Sequence, residues 1–131
     1  MHKRYLSAGA VSGAIAVLLG AFGAHALKEM VPPDTVSTFQ TGVQYQMYHS
    51  LALLATGIMY ERYPVKFIKW AGFCFIAGII LFSGSLYFLT ILKATATVGM
   101  RGVGIVTPFG GLFFIAAWLL LLTGLQTKNK M

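Results

Sequence analysis

Gly42-Val43-Gln44-Tyr45-Gln46-Met47-Tyr48-His49-Ser50-Leu51-Ala52-Leu53-Leu54 decides how the chain is read. Its first half carries two glutamines, a histidine, a serine and two tyrosines, inside a segment otherwise apolar enough to cross a bilayer. Hydrocarbon offers polar side chains no partners, so such an insert needs other helices to pack against. The rest of the chain supplies three. The segment itself extends over 39–60, and further apolar runs occupy 5–27, 67–92 and 108–125. At about 1.5 Å of rise per residue, each is long enough for a hydrocarbon core of about 30 Å, the last being near the minimum. The pattern predicts an all-α protein: one domain over 1–131, an integral membrane bundle of four transmembrane helices.

Composition agrees. Of 131 residues 57% are hydrophobic and 10% charged, and mean hydropathy is +0.76. Ten Lys and Arg against three acids (Glu29, Asp34, Glu61) give a net charge of +7. The basic residues fall in short clusters between apolar runs, as orientation signals do. No contiguous basic face exists to lie on phosphates, so nucleic acid is excluded as a partner. The single cysteine, Cys74, lies within an apolar run, which excludes an internal disulfide framework.

The first run, with Lys3 and Arg4 before it and Ala24-His25-Ala26 near its end, imitates a signal peptide with its cleavage site. It is longer than a signal core, and Gly9, Gly13, Ala16, Gly20 and Ala24 recur at helix-packing spacing, so a retained helix is expected. Pro32-Pro33 interrupts the chain, with Asp34, Thr35 and Ser37 as expected caps of the second span. Glu61-Arg62-Tyr63-Pro64 ends that span. Trp70 and Tyr87 sit near the two ends of the third, as aromatic belts would place them. Residues 93–106 are glycine-rich yet apolar and predict a loop resting on the interface, with a re-entrant turn as the alternative. Thr107-Pro108 predicts the start of the fourth span.

Lys3, Arg4, Arg62, Lys66, Lys69, Lys128 and Lys130 fall on one side, and Lys28, Lys93 and Arg101 on the other. Seven against three predicts both termini in the cytoplasm, N-in and C-in, for a multi-pass protein of the cell (inner) membrane.

Four motifs, one per span, then resemble a known family. They are Gly20-Ala21-Phe22-Gly23-Ala24-His25-Ala26-Leu27, Tyr45-Gln46-x-Tyr48-His49-x-Leu51-Ala52-Leu53, Leu81-Phe82-Ser83-Gly84-Ser85-Leu86-Tyr87 and Thr107-Pro108-x-Gly110-Gly111. Together they are similar to the YgdD/YwdK-like family of small bacterial inner-membrane proteins, which has relatives among small vertebrate transmembrane proteins. The resemblance covers essentially the whole chain. It implies a four-helix integral membrane protein and brings no activity with it. Ala117, before Trp118, stands where relatives often have glycine, a departure that concerns helix packing.

In this topology the polar residues converge on the outer half of the bundle. His25, Gln44, Gln46, His49, Ser83, Ser85 and Arg101 form the candidate cluster, with Gln40 and Thr107 at the same depth. On a helical wheel Gln44 and Tyr48 share one side with Gln40, while Tyr45, His49 and Thr56 lie nearly opposite and Gln46 is beside His49. The second span is therefore expected to be the most enclosed helix or an oligomer contact. Interhelical hydrogen bonding is the first role such groups suggest. The competing role is an outward-opening pocket for a small molecule, lipid headgroup or ion, favoured by two helix N-termini and by Lys93 and Arg101.

Other chemistries lack their residues. His25 and His49 suggest haem ligation, but lie about two and about ten residues from their helix ends, a depth mismatch of roughly 10 Å. Proton-coupled export commonly uses a carboxylate inside the membrane, and all three acids here fall in loops or at helix ends. No Ser-His-Asp set, paired carboxylates, metal-ligand cluster or phosphate loop occurs, so no enzyme, cofactor or metal site is expected. The sequence predicts a structural or accessory membrane component, whose partners are the lipid bilayer and a second copy or another membrane protein. The alternative is a small ligand-binding or transport protein.

Overall fold

A computed structural model describes residues 1–96 and 102–127. Among these every regular element is helical: α1 (Lys3–Ala24), a short 3-10 turn (Ala26–Glu29), α2 (Pro33–Arg62), α3 (Lys66–Gly78), a π-helical turn (Ile79–Ser83), α4 (Gly84–Ala94) and α5 (Val103–Gln126). α3, the π turn and α4 follow without a break, so the chain folds as four rods.

Three rods are long and apolar enough to cross a membrane: Lys3–Glu29, Lys66–Ala94 and Gly104–Gln126. α2 is longer than any single helix among them, but its glutamines, histidine and threonines keep it outside that set. The apolar surface points outward. Of the most apolar stretch of the first rod only 17% is buried, and Val11, Val17, Leu18, Ile80, Leu112 and Leu119 are all largely exposed. A water-soluble protein rarely exposes so continuous an apolar coat; a protein solvated by lipid does.

α1 packs along α2 through small residues. A methyl group added at Gly9 would sit 2.9 Å from Leu54 Cγ and from the Ser50 carbonyl, and one at Gly23 would sit 2.7 Å from Gln40 Nε2. Such close backbone approach needs a missing side chain. α2 reciprocates at Gly57, against Leu6, while its Gly42 faces Tyr87 and Leu86 of α4 instead. The contact runs along α1, from the His2 backbone N–H donating to the Gly57 carbonyl (2.9 Å) to the Gln40 amide donating to the Gly20 carbonyl (3.4 Å).

α5 lies against the third rod. Gly78 accommodates the Phe114 ring, Gly110 meets the Phe82 backbone and Gly124 faces Ile68. Two apolar clusters result. The larger joins Tyr5, Leu53, Ile68, Phe75, Phe114 and Leu121; the smaller, at the opposite end, joins Ala16, Leu27, Val31, Phe39 and Val43.

Helix boundaries differ from expectation at Pro33 and at Pro108. α2 starts at Pro33, which needs no N–H partner at the first helical position, and so Asp34, Thr35 and Ser37 lie inside the first turns. α5 starts at Val103 and carries Pro108 within it. The proline removes one backbone bond, toward Gly104, where no side chain crowds the helix. Within the expected loop, 95–96 form a turn with Ala96 at φ 54°; 97–101, including Arg101, lie outside the described residues.

Candidate functional site

A layer of hydrogen-bonded side chains crosses the bundle at mid-height, and α2 is its hub. The Gln46 amide joins three rods. Its Nε2 donates to the Ser12 carbonyl on α1 (2.8 Å) and its Oε1 accepts from the Tyr87 hydroxyl on α4 (2.6 Å). One turn on, the Ser50 hydroxyl lies 2.6 Å from the Gln46 carbonyl and 2.7 Å from the Ser12 hydroxyl.

His49 occupies an aromatic box. Its ring stacks on Phe114 at 3.6 Å and 9°, with Tyr45, Phe75 and Trp118 around it. Nδ1 lies 2.7 Å from the Tyr45 carbonyl, which can only accept, so Nδ1 carries the proton. Nε2 accepts from the Trp118 indole N–H at 3.2 Å. Both nitrogens are thus engaged and the ring is held as one neutral tautomer. A metal ion at Nε2 would have to displace Trp118.

On the third rod the Ser83 hydroxyl donates to the Gly42 carbonyl (2.6 Å), and the Ser85 hydroxyl donates to the Phe82 carbonyl (2.8 Å). With its proton used there, Ser85 accepts from Thr107 of α5 at 2.6 Å. The π turn sets these positions. Buried residues step through Ile68, Gly72, Phe75 and Gly78, then jump five to Ser83 before Leu86 and Thr90. One extra residue in a single turn carries the buried face past what an unbroken α-helix would give.

The seven candidate residues therefore divide. Gln46, His49, Ser83 and Ser85 are buried in the layer. His25 is exposed at the end of α1, and Gln44 is exposed on the face of α2 turned away from its neighbours. Arg101 lies outside the described residues. Sequence reasoning missed Ser12 as the partner of Gln46 and Ser50. Its place between Gly9 and Gly13, on the small-residue face of α1, was the available signal. Nothing in the sequence pointed to the indole of Trp118 or the hydroxyl of Tyr87 as partners in this layer.

A groove borders the site and a second lies away from it. The first, of about 320 Å³, opens between α1 and the third rod, walled by Val11, Ile15, Ile76 and Ile79 with Ser12 and Gln46 beneath. The other, about 310 Å³, lies at the end of the bundle away from the N-terminus, beside Asp34, Thr38, Thr90 and Lys93, and takes in none of the seven. Among the described residues no three His, Cys, Asp or Glu side chains come together as a metal site would require.

The family described as "Protein of unknown function (DUF423)" matches residues 19–111, which take in α2 and the whole third rod. The chain is 38% identical over 120 residues to the UPF0382 membrane protein YwdK of Bacillus subtilis, covering 91% of this chain and 93% of YwdK. It is 39% identical over 122 residues to the UPF0382 inner membrane protein YgdD of Escherichia coli, covering 92% and 88%. A UPF0382 membrane protein of Staphylococcus epidermidis is 39% identical over 119 residues, covering 91% and 92%. No solved structure matches the chain.

Proposed function

We propose, from the premise that the chain belongs to the DUF423 family of membrane proteins, that it is a structural or accessory component of the cell membrane that crosses the bilayer four times. One observation carries this reading. Among the described residues no buried side-chain nitrogen or oxygen lacks a hydrogen-bond partner within the protein. A binding pocket keeps some donors and acceptors turned toward its ligand, whereas here Gln46, His49, Ser83 and Ser85 are spent on holding helices together. Such bonds contribute about 0.6 to 2 kcal/mol each in a membrane.

α2 makes the fourth crossing. It lies beside α1 from Gly57 to Phe39, so a bilayer crossed by α1 is crossed by α2, with its polar groups answered by Ser12, Tyr87 and Trp118. The basic excess at 3–4, 62–69 and 128–130 orients both termini toward the cytoplasm.

Gln44 extends the reading to self-association. It lies between Gln40, level with Gly20, and Gln46, level with Ser12, which sets it near the middle of α1's length. Its exposed amide has no partner among the described residues. An unanswered amide at that depth is costly, and a second amide across a two-fold axis satisfies it. The stripe Ser37, Thr41, Gln44, Tyr48, Leu51, Ala55, Ile58 and Arg62, exposed except for half-buried Thr41 and Ala55, alternates steps of four and three, the spacing by which two helices pack along a seam.

The groove beside Ser12 and Gln46 favours the second reading, a small ligand-binding or transport protein. Native mass spectrometry of the protein released in mild detergent separates the two. The structural reading expects a dimer carrying no retained small molecule, and a monomer for Gln44→Leu. A bound mass lost on Gln46→Ala in a still-folded protein would move the groove to the front.

A further inference from the structure

We infer that the end of the bundle carrying the N-terminus holds a binding site for an anionic phospholipid. Two adjoining cavities meet there and share Lys69. One, about 430 Å³, is lined by His2, Lys3, Arg4, Tyr60 and Lys69. The other, about 490 Å³, is lined by Tyr5, Lys66, Lys69, Trp70 and Phe73. The first is cationic and the second largely aromatic. That order, charge at the end and apolar surface deeper along α3, is the order of a phosphate headgroup and its acyl chain.

The charge is available. None of Lys3, Arg4, Lys66 and Lys69 is paired with a carboxylate among the described residues, and Lys66 only approaches the Phe67 ring, at 5.5 Å. The N-termini of α1 and α3 both end here and add their partial positive charge. Basic pockets between helices are how membrane proteins take up anionic headgroups.

The walls are fixed while the lysine tips stay free. The Tyr5 hydroxyl donates to the Lys69 carbonyl at 2.6 Å, tying α1 to the first turn of α3. The His2 ring stacks on Tyr5 at 3.8 Å, and the His2 backbone N–H donates to the Gly57 carbonyl in the last third of α2. Gly72 is what lets the Tyr5 ring lie so close, since a methyl group there would overlap it. Trp70 and Phe73 remain 55% and 52% exposed beside this scaffold, which selects a lipid over a soluble anion. The site stands apart from the polar layer and does not depend on which way the protein faces.

The test is native mass spectrometry of the full chain in mild detergent, titrated with phosphatidylglycerol and with phosphatidylcholine of the same acyl chains. Phosphatidylglycerol should bind at about tenfold lower concentration. K66Q/K69Q should lose that preference, as should K3Q/R4Q, a second variant in case the first misfolds. K28Q/K93Q removes equal charge from the opposite end and should keep it. Equal binding of the two lipids, equal loss in K28Q/K93Q, or displacement of phosphatidylglycerol by inorganic phosphate would overturn the proposal.

Discussion

His49 is buried among aromatic rings because both of its nitrogens are answered: the Nδ1–H donates to the Tyr45 carbonyl and Nε2 accepts from the Trp118 indole N–H. Trp118→Phe keeps a ring in place and removes the donor. Thermal or detergent unfolding should register a loss of about 0.6 to 2 kcal/mol, with the helical circular-dichroism signal unchanged below the transition. Two adjacent glycines make a second prediction at this scale. Gly110→Ala drives a methyl group into the Phe82 backbone and should destabilise by about 1–3 kcal/mol. Gly111→Ala meets open space and should change stability by less than about 1 kcal/mol. Equal effects would mean that α5 and the third rod do not meet at Gly110. In sequence the two glycines are indistinguishable, because which of them faces a neighbour depends on how α5 is rotated.

At the scale of elements, the third rod was legible as one apolar run, whereas its π turn was not. No proline marks it, and Ile79-Ile80-Leu81-Phe82-Ser83 would sit comfortably in an ordinary helix. Docking selects it, since Ser83 must reach Gly42 while Ser85 and Tyr87 reach Thr107 and Gln46. A π turn holds one extra residue in a single turn, so deleting exposed Ile80 restores a regular helix with both halves still facing their partners. Inserting an alanine there instead turns the second half by about 100°. The deletion should melt near the parent temperature and the insertion far below it; similar losses would show that the π turn does not set the register.

At the scale of the molecule, polar groups are gathered inside and apolar ones coat the outside, which suits a bundle solvated by lipid. The proposed orientation makes a direct prediction. Single cysteines at 3 and 127, in a Cys74→Ala background, should resist a membrane-impermeant maleimide in intact cells, while one at Lys28 should react. Labelling of the first two with protection of the third would invert the topology.

Membrane character, the apolar runs and the concentration of polar groups in α2 could be read from the sequence, because hydropathy and length are local properties summed over a segment. Resemblance of the four motifs carried the family. Which polar group meets which was decided by the tertiary structure. Gln46 and Gln44 are two residues apart on one helix, yet one is tied to Ser12 and Tyr87 and the other is left exposed. The pairing depends on how α2 is rotated against α1 and the third rod, and that rotation is set by Gly9, Gly23, Gly42 and Gly57 acting together across helices. Local sequence specifies each helix and its glycines; only packing specifies which glycine faces which side chain.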